Sequence, residues 1–430
     1  MKVLIVGGGG REHALAWRLR QDDPSVQLLA APGNPGLADL ATCVSVAATD
    51  VDGLLHLARQ EAVDWTLVGP EAPLAAGIVD VFRSAGMSIF GPTRAAAMIE
   101  SSKAFSKSLM LDAGVATARA VACENVADAY RAIEEVGVPV VIKASGLAAG
   151  KGVIICQTVA DARLAVSSML AGNAFGDAGS TILVEEFMEG EELSVFVLTD
   201  GTHIVVLPPA QDHKRLLDDD RGPNTGGMGA YCPVSIAQSA ALMQEIELRI
   251  VRPTLAAMRT RGTPFTGLLY VGVMLTRTGP KVVEFNCRFG DPETEAVLPT
   301  LGPGVSLAET MFQIARGNMV ADRNCWSTSC FAVTTVLAAE RYPEPPILGD
   351  VIDLPQGSED VLVFHAGTKR DATGSLVTAG GRVFAVTGLG GTLLEAQQRS
   401  HQFASDVHYR RKHFRTDIGW RELSRRAGAS

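Results

Sequence analysis

The sequence predicts an α/β protein in three parts: an open parallel sheet with flanking helices, a larger mixed α/β unit, and a small α+β unit at the end. Three observations carry that reading. Short apolar strands alternate with helices over the first hundred residues, starting with KVLIV at 2–6, the pattern of a parallel sheet whose ligand lies at the carboxyl ends of its strands. Paired apolar strands separated by glycine-rich loops then take over. From about residue 326 the texture shifts to short strands (SCFAVTTVLA, VLVFHAGT, RVFAVTGLG) and one helix at 391–409. The expected divisions are 1–101, 102–325 with a subdomain at about 118–192, and 326–430.

Composition supports cores in all three. The 430 residues are 47% hydrophobic and 20% charged, a globular balance. A net charge of −9 argues against a nucleic-acid-coating surface, although a local basic pocket for phosphate stays open. The seven cysteines (43, 123, 156, 232, 287, 325 and 330) form no C-x-x-C pair and have no metal-ligand spacing. They read as reduced thiols of a cytoplasmic protein. Met1-Lys2 leads straight into a strand, too short for a signal-peptide core, and no run of eighteen apolar residues is present, so no membrane association is expected.

In order, 2–6 is a buried strand, Gly7–Gly10 a tight loop and 11–20 a helix. Strands follow at 26–31, 64–71 and 88–93, with a helix at 72–85. The glycine loop fails the dinucleotide fingerprint G-x-G-x-x-G in both registers, the last position being Glu12 or His13. The second strand also ends in Ala31-Pro32, with no acid for a ribose. Two readings remain: backbone N–H groups at a helix N-terminus that take a single phosphate, or glycines that only make turns.

Residues 95–116 read as a helix carrying Lys103 and Lys107, and a short helix near 124–136 precedes VPVVIKASGLAAGKGVIIC at 138–156. Lys143 ends an apolar strand there. Gly146–Gly152, which includes Gly150 and Lys151, is a small-residue loop between two antiparallel strands. Such a loop folds over a triphosphate, with N–H groups and a lysine as donors, or is an ordinary hairpin with a solvated lysine. After a helix at 159–171 and a loop at 172–180, TILVEEFMEG (181–190) bends at Gly190 into EELSVFVL (191–198). Backbone at that crossover, around Glu185, Glu186, Phe187 and Met188, is suited to an adenine edge, and Glu192 beyond it to ribose hydroxyls. The polar stretch 211–231, QDHKRLLDDDRGPNTGGMGAY, is too polar for core and too long for a tight turn, so a functional or disordered loop is expected. A helix at 236–260 then leads to a strand at 268–275.

The stretch KVVEFNCRFGDPETE (281–295) is the chemical centre of the sequence. Alternation on a strand puts Glu284 and Asn286 on one face and Phe285 on the other. A carboxylate and an amide oxygen there suit Mg²⁺ or Mn²⁺, which takes its remaining oxygens from water and substrate phosphates. Arg288, Asp291, Pro292 and Glu293 follow in a loop beside it. Alone, E-x-N is also compatible with a strand that ends in a polar turn.

The order lysine strand, glycine flap, acidic hinge and E-x-N resembles the ATP-grasp ligases. GGGGREHALAW, APGN, VGPEAPL, SKAFSK, VIKASGLAAGKGV, VEEFMEGEE, QDHKR, GPNTGGMGAY, EFNCRFGDPETE and DIGW are similar to the phosphoribosylamine–glycine ligase family of purine biosynthesis within it. The resemblance implies an ATP-grasp fold preceded by an open parallel (pre-ATP-grasp) domain and followed by a small α+β domain. It also implies that ATP, glycine and 5-phosphoribosylamine give glycinamide ribonucleotide, ADP and phosphate through glycyl phosphate.

On that resemblance Glu284 and Asn286 hold Mg²⁺ or Mn²⁺. Lys103, Lys143, Gly150, Lys151 and Gly152 contact or cover phosphates, Glu185, Glu186, Phe187 and Met188 lie at the adenine, and Glu192 at the ribose. Arg288, Lys143 and Asp291 are the catalytic candidates. Gly9, Gly10, Arg11, Glu71, Asp212, Lys214, Asn224, Thr225, Gly226, Pro292 and Glu293 are those for substrate. A monomer is expected, with at most transient contacts with neighbouring pathway enzymes. Three positions depart from the pattern: Tyr270-Val271-Gly272-Val273 lacks the acidic third metal ligand of many ATP-grasp enzymes, Asp219 replaces a small residue, and Ser145 stands where Asp is frequent. A dehydrogenase and a catalytically silent ATP-binding scaffold are the competing classes. The missing fingerprint argues against the first, and the intact Glu284, Asn286 and Arg288 set against the second.

Overall fold

The computed structural model describes residues 1–148, 152–171, 176–302, 306–318 and 328–428. The first hundred residues contain β1 (Lys2–Gly7), α1 (Gly10–Asp22), β2 (Gln27–Pro32), β3 (Thr42–Cys43), α2 (Val51–Gln60), β4 (Trp65–Val68), α3 (Glu71–Ala76), α4 (Ile78–Ser84), β5 (Ile89–Phe90) and α5 (Arg94–Ser101). Their sheet is parallel, in the order β3-β2-β1-β4-β5. The order reverses between β1 and β4, and ligands of open α/β sheets bind beyond the carboxyl ends at such a switch. Arg11 and Glu71 follow those two strands.

Next come α6 (Lys103–Asp112), β6 (Ala120–Cys123), α7 (Val126–Val136), β7 (Val140–Ala144), β8 (Val153–Cys156), α8 (Val159–Val166) and β9 (Ile182–Glu186). The strands form an antiparallel sheet, β6-β9-β7-β8. Every residue of β7 (VVIKA) is buried, which is why it reads as a continuous apolar run. Burying each Val or Ile contributes on the order of 1.5–3 kcal/mol as an upper bound. This small sheet has its own core, including Ile133, Val140, Ile142, Ile182 and Val184.

The chain continues through β10 (Glu191–Thr199), β11 (Ile204–Val206), β12 (Gln211–Asp212), β13 (Arg215–Leu217), β14 (Arg221–Asn224), β15 (Gly229–Cys232), α9 (Ala240–Ile246), α10 (Arg252–Thr260), β16 (Gly267–Thr276), β17 (Gly279–Asn286), α11 (Glu293–Thr300) and α12 (Leu307–Ala315). It ends with β18 (Phe331–Ala338), β19 (Val361–His365), β20 (Thr368–Arg370), β21 (Leu376–Thr378), β22 (Arg382–Gly390), α13 (Leu393–Asp406) and α14 (Trp420–Gly428). One sheet runs β11-β10-β16-β17, and another, β12-β15-β18-β22-β19, joins the middle of the chain to its end.

Two single helices expected from periodicity are divided and a third is not. Gly77, at φ +94°, separates α3 from α4, a left-handed conformation that glycine adopts without a Cβ penalty. Ser102 stops α5 and caps α6, its hydroxyl accepting from the Phe105 N–H. The third, expected at 236–260, runs on from α9 into α10 through a π-helical turn at Glu247–Val251 without leaving the helical conformation. The 211–231 stretch is not a loop but four short strands. β15 pairs with β18, whose partner strands arrive a hundred residues later, so no local pattern could announce them.

Candidate active site

A cleft of about 820 Å³ opens where the sheets meet. One face of the β10–β16–β17 sheet forms its floor. Antiparallel register sets Ser194 and Glu284 opposite Gly272, Asn286 opposite Tyr270, and Glu192 opposite Met274, so these side chains share a face. A register shift next to Gly272, at Val283 on the facing strand, reverses which side chains point inward beyond Glu284. Gly272 stands where the third metal ligand is absent. Tyr270 is committed elsewhere: its hydroxyl donates to Glu293 Oε1 at 3.0 Å and bonds Ser194 Oγ at 2.8 Å.

At one end lies the lysine–acid cluster. Glu185, buried on β9, pairs with Lys143 Nζ at 2.6 Å and Lys107 Nζ at 3.0 Å. Burial would raise the Glu185 carboxyl, but the two lysines hold it below its ordinary range. Lys107 also donates to Thr117 Oγ1 and the Ala118 carbonyl. Lys103 enters one helical turn earlier because Ser102 breaks the helix there, and its amide donates to the Ser145 carbonyl at 2.8 Å. Burial lowers the Lys103 ammonium, with Glu284 opposing. Ser145 Oγ accepts the Ala104 N–H at 3.1 Å, so the serine found in place of aspartate fixes the start of α6.

Charge organises the middle. Burial works against ionising Glu284, yet Lys214, Lys143 and Lys103 hold its carboxyl below the usual range. Arg288 is pinned by Glu100 at 3.1 Å and Glu71 at 3.3 Å; burial opposes its charge, and those two acids raise it. Burial pushes Asp212 up to about 8, with Lys214 opposing and Glu293, Glu192 and Glu284 reinforcing. Lys214 is ion-paired with Glu192. Among the described residues no set of three His, Cys, Asp or Glu is gathered as a metal site. The hard oxygen donors Glu284 and Asn286, side by side on the cleft floor, are of the type that suits an ion completing its shell with phosphate and water.

At the far end Arg11 and Arg288 each donate to the Phe289 carbonyl at 3.1 Å. Glu12 orients Arg11, Oε1 accepting from Nε at 2.7 Å, while Oε2 accepts the Gly9 N–H at 2.6 Å. The glycine loop wraps this carboxylate. A Cβ on Gly7 or Gly9 would lie 2.7 or 2.8 Å from Glu12, and one on Gly69 closer still. The glycines thus have a packing reason independent of any phosphate.

Of the residues read from sequence, Arg11, Glu71, Lys103, Lys143, Gly152, Glu185, Glu186, Phe187, Met188, Glu192, Asp212, Lys214, Asn224, Thr225, Gly226, Glu284, Asn286, Arg288, Asp291 and Glu293 line the one cleft. Gly9 packs on Glu12, Gly10 on Glu295, and Pro292 on Gly227. Gly150 and Lys151 fall outside the described residues. Sequence reasoning gave no role to Glu12, Glu100, Lys107, Tyr270, Arg382 or Arg421. Lys107 had a signal, one turn from Lys103 in SKAFSK. Arg382 and Arg421 come from the C-terminal part, and nothing local marks them.

The phosphoribosylglycinamide synthetase family matches in three successive parts: its N domain over residues 1–100, its ATP-grasp (A) domain over 101–294 and its C domain over 332–421. The chain belongs to the phosphoribosylglycinamide synthetase family. A relative named phosphoribosylamine–glycine ligase from Xylella fastidiosa is 48% identical over 433 residues, 99% of each chain. The crystal structure of the phosphoribosylamine–glycine ligase of Thermotoga maritima superposes with a TM-score of 0.84 at 33% identity, over 97% of this chain and all of that one. A biotin carboxylase from Campylobacter jejuni, 15% identical with a TM-score of 0.72 over 96% of this chain and 92% of its own, shares the fold alone. The matched A domain is an ATP-grasp domain, and residues of all three matched domains line the cleft.

Proposed function

We propose that this chain joins glycine to 5-phosphoribosylamine at the expense of ATP, giving glycinamide ribonucleotide, ADP and phosphate in de novo purine biosynthesis. One observation carries the reading: a lysine–acid nucleotide end and an arginine–acid substrate end share one cleft, with Glu284, Asn286 and Arg288 between them. The parts divided at 101/102 and 325/326, with the flap subdomain at about 118–192, supply its walls.

ATP lies with its adenine against Glu185, Glu186, Phe187 and Met188, its ribose at Glu192, and its phosphates at Lys103 and Lys143. Glu284 and Asn286 would hold Mg²⁺ or Mn²⁺, which supplies charge neutralisation at the β- and γ-phosphates. A glycine carboxylate oxygen attacks the γ-phosphorus, releasing ADP and leaving glycyl phosphate. Arg288, kept charged and immobile by Glu100 and Glu71, stabilises the charge that develops there. The amine of phosphoribosylamine, lodged among Arg11, Glu71, Asp212, Lys214 and the 224–226 turn, then attacks the carbonyl carbon, expelling phosphate with loss of a proton. A covered cleft matters because water would hydrolyse the acyl phosphate first.

The test is ADP release with phosphoribosylamine formed in situ from ribose 5-phosphate and ammonia, omitting each component in turn. ADP should appear only when glycine, phosphoribosylamine and a divalent ion are all present, and Glu284→Gln should lower the rate by at least about 10²-fold. Equal rates with another amino acid would overturn the substrate assignment. ATP binding without ADP release under any combination would overturn the ligase reading.

A further inference from the structure

The β13–β14 hairpin carries one wall of the cleft and has almost no apolar support of its own. Lys214, Arg215, Asp220, Asn224, Thr225 and Gly226 line the cleft, while Leu217 is 40% exposed. The turn places Asp219 and Asp220 at φ +58° and +52°. Aspartate enters that region more readily than most non-glycine residues, and here contacts from outside the hairpin help to hold it.

Those contacts come from the C-terminal segment. Arg415, whose side chain is fully buried, grips Asp417 through Nε at 2.7 Å and Nη2 at 2.8 Å. Its Nη1 reaches Asp220 Oδ1 at 3.0 Å and the Arg215 carbonyl at 3.1 Å. Arg421 pairs with the other oxygen of Asp220. The Asp218 carboxylate accepts the Thr416 N–H at 2.9 Å and its hydroxyl at 2.7 Å, and the Asp219 N–H donates to Asp417 Oδ2 at 2.9 Å. At the open end of the hairpin, Thr225 donates through its N–H and Oγ1 to the Lys214 carbonyl.

We infer that Arg415 is a positioning residue for the ligase reaction: a buried guanidinium of the C-terminal segment that holds the 215–224 hairpin, and through it Lys214 and Asn224, in working geometry. This rests on the proposed function for its kinetic consequence, though not for its mechanical one. Arg415 is not among the residues that line the cleft. A buried fork with partners on both sides defines a position that apolar packing of this exposed hairpin does not.

Two readouts on the full-length protein test it. Hydrogen exchange without substrates should show amides of 215–224 exchanging about tenfold faster in Arg415→Met, with β16 and β17 unchanged. Steady-state kinetics should show kcat/KM for phosphoribosylamine falling by about tenfold or more, as small displacements of positioning groups do, with partial recovery in Arg415→Lys. A folded Arg415→Met with wild-type exchange and kinetics would overturn the inference. If that variant does not fold, Arg415→Lys decides: one ammonium cannot span Asp220, Asp417 and the Arg215 carbonyl as the fork does, so amides of 215–224 should still exchange faster than in the wild type, and wild-type exchange there would overturn the inference. Absence of turnover in the wild-type protein would refute the ligase reading and leave the exchange comparison as the test of Arg415.

Discussion

Glu12 dictates its surroundings more than any other single residue of the N-terminal part. Its carboxylate needs the Gly9 N–H and the Arg11 guanidinium, and Gly7, Gly9 and Gly69 lack side chains where it passes. Replacing it by Gln keeps an acceptor for the Gly9 N–H and removes the charge opposite Arg11. Both partners are buried, so breaking the pair should cost up to about 3 kcal/mol, read as a lower denaturation midpoint. The KM for phosphoribosylamine should rise while ATP affinity holds, since Arg11 lies at the far end from Lys107, Lys143 and Glu185. A weaker ATP affinity with an unchanged amine KM would contradict that division of the cleft.

At the scale of elements, α6 shows how a helix break becomes a functional device. Ser102 ends α5 and starts α6 in a new direction, so Lys103 and Lys107, four residues apart, share the face turned to the cleft. Lys107→Met should leave Glu185 with Lys143 alone. Removing one partner of a buried ion pair costs on the order of 3–5 kcal/mol, and the surviving Lys143 bond offsets part of it. Equilibrium titration with ATP should show about tenfold weaker binding, because Glu185 loses the charge that keeps its carboxylate ionised and aimed. Unchanged affinity would mean that Lys143 alone fixes Glu185.

At the scale of the molecule, the first and last parts meet at a histidine seam. His13 Nδ1 accepts the His365 N–H at 2.9 Å, His365 Nδ1 bonds Thr368 Oγ1 at 3.0 Å, and Asn34 Nδ2 donates to the carbonyls of Gly8 and His365. Burial, with His365 adding, lowers His13 to about 3; burial lowers His365 to about 4, Asp39 opposing and Arg370 assisting. Below about pH 6.5 the unfolded chain takes up protons that the folded seam refuses. The stability from neutral burial is therefore full above about pH 6.5 and is lost as the pH falls towards 4 and then 3. Thermal midpoints should drop between pH 7 and pH 5, and His13→Asn, which keeps an acceptor, should flatten that slope. An equally steep slope in the variant would assign it to other groups.

The sequence by itself determined the parallel N-terminal sheet, the antiparallel pair around the glycine flap and the E-x-N face. Each is written in a local period: alternating strands and helices, an apolar run ending at Lys143, and one residue between Glu284 and Asn286. The same locality explains why most of the residues read from sequence as site candidates line one cleft. Only the tertiary structure decided that Gly7, Gly9 and Gly69 leave room for the Glu12 side chain. It also decided that the two ends of the polar 211–231 stretch, β12 and β15, join a sheet with β18, and that Arg382, Arg415 and Arg421 support the cleft from the far end of the chain. The last two outcomes depend on pairings across about one hundred to two hundred residues, where a strand's partner or a carboxylate's counter-charge leaves no periodicity behind.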